Sequence, residues 1–338
     1  MEKLEQIKQT LSEIDDRTPD ALRVAFGLGY RVSPAPAPGE EDRVASFADS
    51  VLPPPPPVSE DADANDPGEL HEEVPLDSTS DDDAAKVLRM EWASCYLPDH
   101  DEDAHFGHGD AGVVGVADGV GGYRELGEDA AAFSRGLMTS ALMHVLAIDP
   151  GTPVCPYTLL ERAYDETVAA AASGASTAVI LSLAGATLRW AYIGDSAFAV
   201  LRGGNIVHRS REQKTYFDNC PFQLSSPGQG DSITEADVGE MPVRDGDVVV
   251  AGTDGLFDNV FDEELERVVR MGTAQGYSPK NMADVIAGIA YEMSRSPTKD
   301  SPISTEYQKM AAGVEFHGGK PDDITVVVAF IRDLSSVN

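Results

Sequence analysis

The sequence predicts an α+β fold in which antiparallel strands and paired helices stack in layers. Three observations carry this expectation. Apolar runs are joined by hairpin-type turns, as where Phe198-Ala199-Val200-Leu201 passes through Arg202-Gly203-Gly204-Asn205 into Ile206-Val207-His208, and where Arg244-Asp245-Gly246-Asp247 leads into Val248. Helical spacing of apolar residues comes in consecutive pairs, over 125–146 and 157–172 and again over 262–271 and 279–293. No repeat of fixed period is visible, and hairpins together with paired helices favour antiparallel layers over a doubly wound parallel sheet.

Taken from the N-terminus, Leu4, Ile7, Leu11 and Ile14 recur at helical spacing among Glu, Lys and Gln, which predicts a short amphipathic helix within residues 1–20. Packing on its own domain and docking a partner both fit that pattern. Leu22 to Val32 alternates as a strand, so residues 21–32 are expected to belong to the main fold. Residues 33–83 turn Pro-rich, with Pro53 to Pro57 unbroken, and then acidic; such a stretch buries too little apolar surface to offset its ordering entropy. It is expected to be a disordered insertion serving as a solvated spacer rather than as the ligand of a polyproline-binding module. Residues 84–334 carry the rest of the domain, and 335–338 form a tail.

Within the globular part, Thr167 to Leu188 carries no charge and is about as long as a bilayer crossing requires. Ser173-Gly174-Ala175-Ser176-Thr177 interrupts it, so the segment is expected to be helix, turn and buried strand, and no membrane span is predicted.

At 338 residues the chain can hold one large domain with an ample core. Its formal charge of -33 opposes nucleic acid and anionic membrane as partners, because phosphate neutralisation needs clustered Lys and Arg. Cys95, Cys155 and Cys220 are scattered without Cys-x-x-Cys spacing, which predicts reduced thiols and no structural zinc. Met1-Glu2-Lys3-Leu4-Glu5 has neither a secretory apolar core nor an Arg-rich transit bias, so a cytosolic or nuclear location is expected. The chain is expected to be a monomer.

Four strand-like runs end or begin at an aspartate: Val113 to Ala117 before Asp118-Gly119, Leu188 to Ile193 before Gly194-Asp195, Val248 to Thr253 before Asp254-Gly255, and Asp322-Asp323 before Ile324 to Ile331. Aspartate is depleted in strands and costly to bury unpaired. Any one Asp-Gly is also a common turn dipeptide, but four at strand ends suggest a shared divalent cation. Asp101-Glu102-Asp103, just upstream of the Asp118 strand, adds oxygen donors of the kind Mg²⁺ and Mn²⁺ prefer. The histidines lack paired helical spacing for zinc and are expected at the surface or in hydrogen bonds, while Trp92, Trp190 and Phe198 are expected in the core.

The order Glu102-Asp103-Ala104, Val116-Ala117-Asp118-Gly119-Val120-Gly121-Gly122, Gly174-Ala175-Ser176-Thr177-Ala178, Gly194-Asp195-Ser196, Thr253-Asp254-Gly255-Leu256-Phe257-Asp258 and Asp322-Asp323-Ile324-Thr325 resembles the metal-dependent protein phosphatases of type 2C. Within them it is most similar to the branch of the mitochondrial T-cell-activation protein phosphatase homologue and its plant and fungal relatives. Gly203-Gly204 and Gly318-Gly319-Lys320-Pro321 agree with that branch. The resemblance implies a four-layer sandwich, with two central antiparallel sheets flanked by pairs of helices. It also implies hydrolysis of phosphoserine and phosphothreonine in proteins, and it adds a mitochondrial or plastid location to the possibilities.

Carried over residue by residue, the resemblance makes Asp118 the bridge between two Mn²⁺ or Mg²⁺ ions. Glu102 and the Gly119 carbonyl would serve one ion, Asp254 and Asp322 the other, and Asp195 and Asp258 a weaker third. Asp118 and Asp103 would be the catalytic carboxylates, Asp103 orienting the attacking water. Two departures stand out. Val120 occupies the place of the His that acts as general acid in many members, and the approach to Glu102 lacks the usual phosphate-binding Arg. Phosphate contact is left to the metals, His100, Arg89 or Arg124. These departures also support a rival function, a catalytically weak metal-binding adaptor that holds phosphoproteins.

Overall fold

A strand buried on both faces needs apolar residues at every position rather than at every second one. The computed structural model, which describes residues 88–215, 220–226, 229–310 and 317–333, shows this in its central strands. Strands β1 (Leu88–Leu97), β12 (Ile324–Asp333), β11 (Val248–Gly252), β7 (Ala197–Arg202) and β8 (Asn205–Arg209) pair in that order as one antiparallel sheet. A second antiparallel sheet runs β10 (Asp237–Pro242), β6 (Thr187–Ile193), β5 (Ala178–Ala184), β3 (Val113–Ala117) and β2 (Ala104–His108). A short pair, β4 (Ala175–Ser176) with β9 (Leu224–Ser225), lies beside them.

Alternate side chains of β12 go to different layers. Val327, Ala329 and Ile331 meet Val114, Val116, Val179 and Leu181 of the second sheet. Val326, Val328 and Phe330 point the other way, onto helices α5 (Asp262–Ala274) and α6 (Pro279–Ser294) through Val268, Ile286 and Ala290. The outer face of the second sheet is covered by α2 (Ala131–Ala147) and α3 (Pro156–Ala169), with Phe133, Leu137 and Leu160 against Ile180 and Ile193. The result is helix pair, sheet, sheet, helix pair, the four-layer sandwich that the resemblance implied. Phe198, fully buried between the sheets beside Trp190, illustrates the energetics: truncation to Ala would cost about 3–5 kcal/mol.

The hairpin through Gly203 and Gly204 forms as expected, with Arg202 opposite Asn205. Thr167 to Leu188 divides into the end of α3, then β4, then β5 and the start of β6, and among the described residues no helix is long and apolar enough to cross a membrane. One expectation is corrected. Residues 125–146 are not one helix, because α1 (Gly122–Glu125) stops at Leu126 and Gly127 takes a positive φ of 79°. The Asp129 carboxylate then accepts from the Ala131 N–H and opens α2. The elements that went unforeseen include β1, β10 and α7 (Pro302–Met310). In β1 only Met90 is fully buried, so the strand lacks the apolar run that marks its neighbours. The helix expected within 1–20, the strand over 22–32, the insertion over 33–83 and the 335–338 tail lie outside the described residues.

Candidate active site

Antiparallel register brings the acidic residues to one end of the sandwich. Leu97 of β1 faces Ile324 of β12, Gly252 of β11 faces Val326, Ala104 of β2 faces Ala117 of β3, and Ala178 of β5 faces Ile193 of β6. Each pairing leaves a loop at the same edge: Asp99 to Asp103, Asp118-Gly119, Gly194-Asp195, Asp254 and Asp322-Asp323. Asp254 opens the short helix α4 (Asp254–Phe257), whose following residue is the buried Asp258.

Backbone and hydroxyl contacts hold these loops in place. The Ser176 hydroxyl donates to the Asp118 carbonyl at 2.8 Å, the Thr177 N–H donates to it at 3.0 Å, and the Asp118 N–H donates to the Thr177 hydroxyl at 3.2 Å. This gives the Gly174-Ala175-Ser176-Thr177 segment its role: it fixes the end of β3. A Cβ on Gly119 would come within 2.5 Å of the Ala130 carbonyl oxygen and 2.7 Å of that of Glu102, so only glycine lets the β3 end approach the Glu102 loop this closely. At Gly255 a Cβ would collide with the Asp323 carbonyl in the same way.

Asp323 is a structural carboxylate. Its Oδ1 accepts from the backbone N–H groups of Asp99, His100 and Asp101, and its Oδ2 from that of Glu102, which ties β12 to the acidic loop. Asp103 Oδ2 accepts from the hydroxyls of Thr253 at 2.8 Å and Thr325 at 2.7 Å, while its Oδ1 is buried without a partner.

The other carboxylates face one another. Burial and then the charge of Asp254, followed by those of Asp103, Asp322 and Asp195, hold the Asp118 carboxyl well above the usual range. Burial and Asp254 push Asp195 up to about 7 against the pull of Lys214 and Lys320. Asp258 is pushed up to about 8 by burial and Asp254, again opposed by Lys320 and Lys214. Burial raises Glu102 and Asp322 as well, countered at Glu102 by Arg124 and at Asp322 by Lys320.

Cations of the chain itself answer this charge. The Lys320 ammonium contacts Asp254, Asp258 at 3.2 Å and Asp322 at 3.0 Å. Arg124 Nε lies 2.6 Å from Glu102 Oε1, and Lys214 Nζ 3.7 Å from Asp195. Among the described residues no three Asp, Glu, His or Cys side chains already close into a metal cage. The donor chemistry still fits a hard divalent ion. All the donors are oxygens, Asp254 Oδ1 is buried without a partner, and neighbouring carboxylates add to burial in raising the Asp118 carboxyl, as at a site where a multivalent countercharge is needed.

Of the three side chains considered for phosphate contact, Arg89 stands at the far end of β1, opposite the Arg332 end of β12, and pairs with Glu91. It is excluded by position. His100 lies 3.9 Å from Asp322, and Arg124 reaches the site through Glu102. Sequence reasoning gave no role to Lys320, Lys214, Thr253 or Thr325; for Thr253, Thr325 and Lys320 the signal present was a polar residue within two positions of a strand-end aspartate, and Lys214 had no such signal. His105 is also corrected: it is buried, with Nδ1 lacking a partner, and burial pulls its pKa down to about 4.

Comparison with known proteins places the fold and the family. The Protein phosphatase 2C family profile matches residues 97–286. Putative protein phosphatase 2C 23 of Oryza sativa subsp. japonica is 55% identical over 98% of this chain and 97% of its own length. The X-ray structure of the photosystem II phosphatase PBCP superposes with a TM-score of 0.64 at 32% identity, over 72% of this chain and 100% of that one. The catalytic domain of the serine threonine protein phosphatase PstP, solved with 2 manganese ions, shares the fold with a TM-score of 0.51 at 21% identity, over 73% of this chain and 100% of that one. The chain belongs to the protein phosphatase 2C family and is a metal-dependent protein phosphatase.

Proposed function

We propose that this phosphatase hydrolyses phosphoserine and phosphothreonine in proteins at a site for two Mn²⁺ or Mg²⁺ ions. The observation that carries the proposal is the gathering of Asp118, Asp254, Asp322 and Glu102 at one end of the sandwich, with the Asp118, Asp322 and Glu102 carboxyls raised by burial and by neighbouring acids. Asp118 would be shared between the ions, Glu102 and the Gly119 carbonyl would hold one, and Asp254 and Asp322 the other. Asp195 and Asp258 would hold a looser third. Bound there, the ions supply Lewis-acid neutralisation of phosphoryl charge and a more acidic water.

The protein's own groups do the rest. Asp103, fixed through Oδ2 by two threonine hydroxyls, presents its unpartnered Oδ1 as an acceptor that orients the attacking water. Asp323 holds the Glu102 loop in register with β12. Arg124, at the cleft mouth, supplies a guanidinium that phosphoryl oxygens can share with Glu102. Val120 carries no proton to give, so substrates with better leaving groups should react faster.

The test is Mn²⁺-dependent turnover of p-nitrophenyl phosphate and of phosphoserine, phosphothreonine and phosphotyrosine peptides. Hydrolysis of the first three and loss in Asp118→Asn support the proposal. Tight phosphopeptide binding without turnover would instead favour the adaptor function, and preference for phosphotyrosine would overturn the substrate assignment.

A further inference from the structure

Lys320 touches three of the carboxylates assigned above to metal ions, and its position is built in rather than incidental. Its backbone is clamped to Asn259: the Lys320 N–H donates to Asn259 Oδ1 at 2.9 Å and Asn259 Nδ2 donates to the Lys320 carbonyl at 3.0 Å. Asn259 is fully buried and also donates to the Gly255 carbonyl at 2.9 Å, within the turn that carries Asp254 and Asp258. One buried amide therefore fixes the lysine to the segment whose charge it meets. The ammonium reaches Asp254, Asp258 and Asp322 while the side chain stays 40% exposed, which leaves it a path out of the cleft.

We infer that Lys320 is an internal counter-cation that competes with divalent metal for Asp254, Asp258 and Asp322, so that it stabilises the metal-free protein and weakens metal binding. The inference rests on the two-metal proposal above. Its physical basis is competition: an ammonium and a divalent ion drawn to the same three carboxylates repel each other, so seating one raises the cost of seating the other. Competition of this kind is reciprocal, so whatever stability the lysine contributes to the metal-free state is subtracted from metal affinity.

The experiment uses the full chain and reads binding and stability, not turnover. Mn²⁺ dissociation constants are measured by titration calorimetry, and thermal midpoints are recorded with and without Mn²⁺, for the wild type, Lys320→Met and Lys320→Gln. Lys280→Met serves as control, since Lys280 pairs with Asp284 in an exposed contact on α6. The expected result is a lower midpoint for the metal-free Lys320 variants and an Mn²⁺ affinity tightened by about fivefold or more, with the control unchanged. Unchanged or weaker affinity in both Lys320 variants overturns the inference while leaving the metal site intact. A wild type that neither binds nor is stabilised by Mn²⁺ overturns the two-metal proposal itself. If Lys320→Met does not fold without metal, Lys320→Gln, which keeps a polar end group, supplies the affinity comparison.

Discussion

Asp322 and Asp323 are neighbours in sequence and opposites in environment. The Asp323 carboxylate is saturated by backbone N–H groups from Asp99 to Glu102, whereas Asp322 shares one lysine with Asp254 and Asp258. The first is scaffold: every oxygen is used, and the charge serves to hold a loop. The second is capacity: the charge exceeds what the chain supplies, and burial keeps the Asp322 and Asp258 carboxyls raised. The difference separates two kinds of strand-end aspartate by their partners rather than by their spacing.

The largest expected effect tests the capacity side. Asp118→Asn and Asp254→Asn should each lower phosphatase kcat/KM by more than about a hundredfold, beyond what loss of an outer-shell partner costs. The same substitutions remove repulsion, so the metal-free thermal midpoint should hold or rise. A fall in both activity and metal-free stability would make these carboxylates scaffold too, and the contrast with Asp323 would collapse.

Asp323→Ala should behave in the opposite way. It strands the N–H groups of Asp99, His100, Asp101 and Glu102 and should cost about 3 kcal/mol in urea unfolding, with activity falling as the Glu102 loop loosens. A cost below about 1 kcal/mol would mean that water replaces the carboxylate there and that the saturation has no energetic meaning.

How far this division was legible in the chain depends on burial. Strands β3, β11 and β12 are covered on both faces, so their apolar runs and terminal aspartates stood out, as did the buried Trp190 to Ile193 end of β6 before Asp195. Strand β1 offers one fully buried residue, and its polar neighbours concealed it. The break at Gly127 escaped because apolar spacing continues across it. At the site, the aspartates could be named from the sequence, but their separate environments could not. Asp322 and Asp323 differ only in which loop folds over each oxygen, and Lys320 meets Asp254 only through the Asn259 clamp.

His105 sharpens the comparison through pH. It is buried in β2, two residues beyond Asp103, and its pKa is pulled down to about 4 by desolvation. The unfolded chain protonates it near 6.5, so between those values the unfolded state binds more protons. Its contribution is therefore fully present above about pH 6.5 and is lost as pH falls towards 4, reaching about 2 kcal/mol at pH 5. The raised site carboxylates tilt the metal-free stability the other way, downward as pH rises, but that slope is common to both proteins when His105→Gln is compared with wild type. The difference between their urea-unfolding free energies should shrink towards pH 5 in favour of the variant. A difference independent of pH would show that His105 finds a proton partner within the fold.

The smallest effect concerns the cation on the capacity side that faces solvent. Arg124 is paired with Glu102 yet remains nearly half exposed, so its guanidinium can add a phosphoryl oxygen without being desolvated further. Arg124→Gln should raise KM for a phosphopeptide about five- to tenfold and change kcat less, because the contact is made to the phosphoryl group in the ground state as well as in the transition state. p-Nitrophenyl phosphate should show the same KM shift, since the contact is to the phosphoryl group and not to the peptide. A change confined to Mn²⁺ affinity would instead make Arg124 a second internal counter-cation, the partner at Glu102 of what Lys320 is at Asp254, and both halves of the acidic site would then be held by the same device.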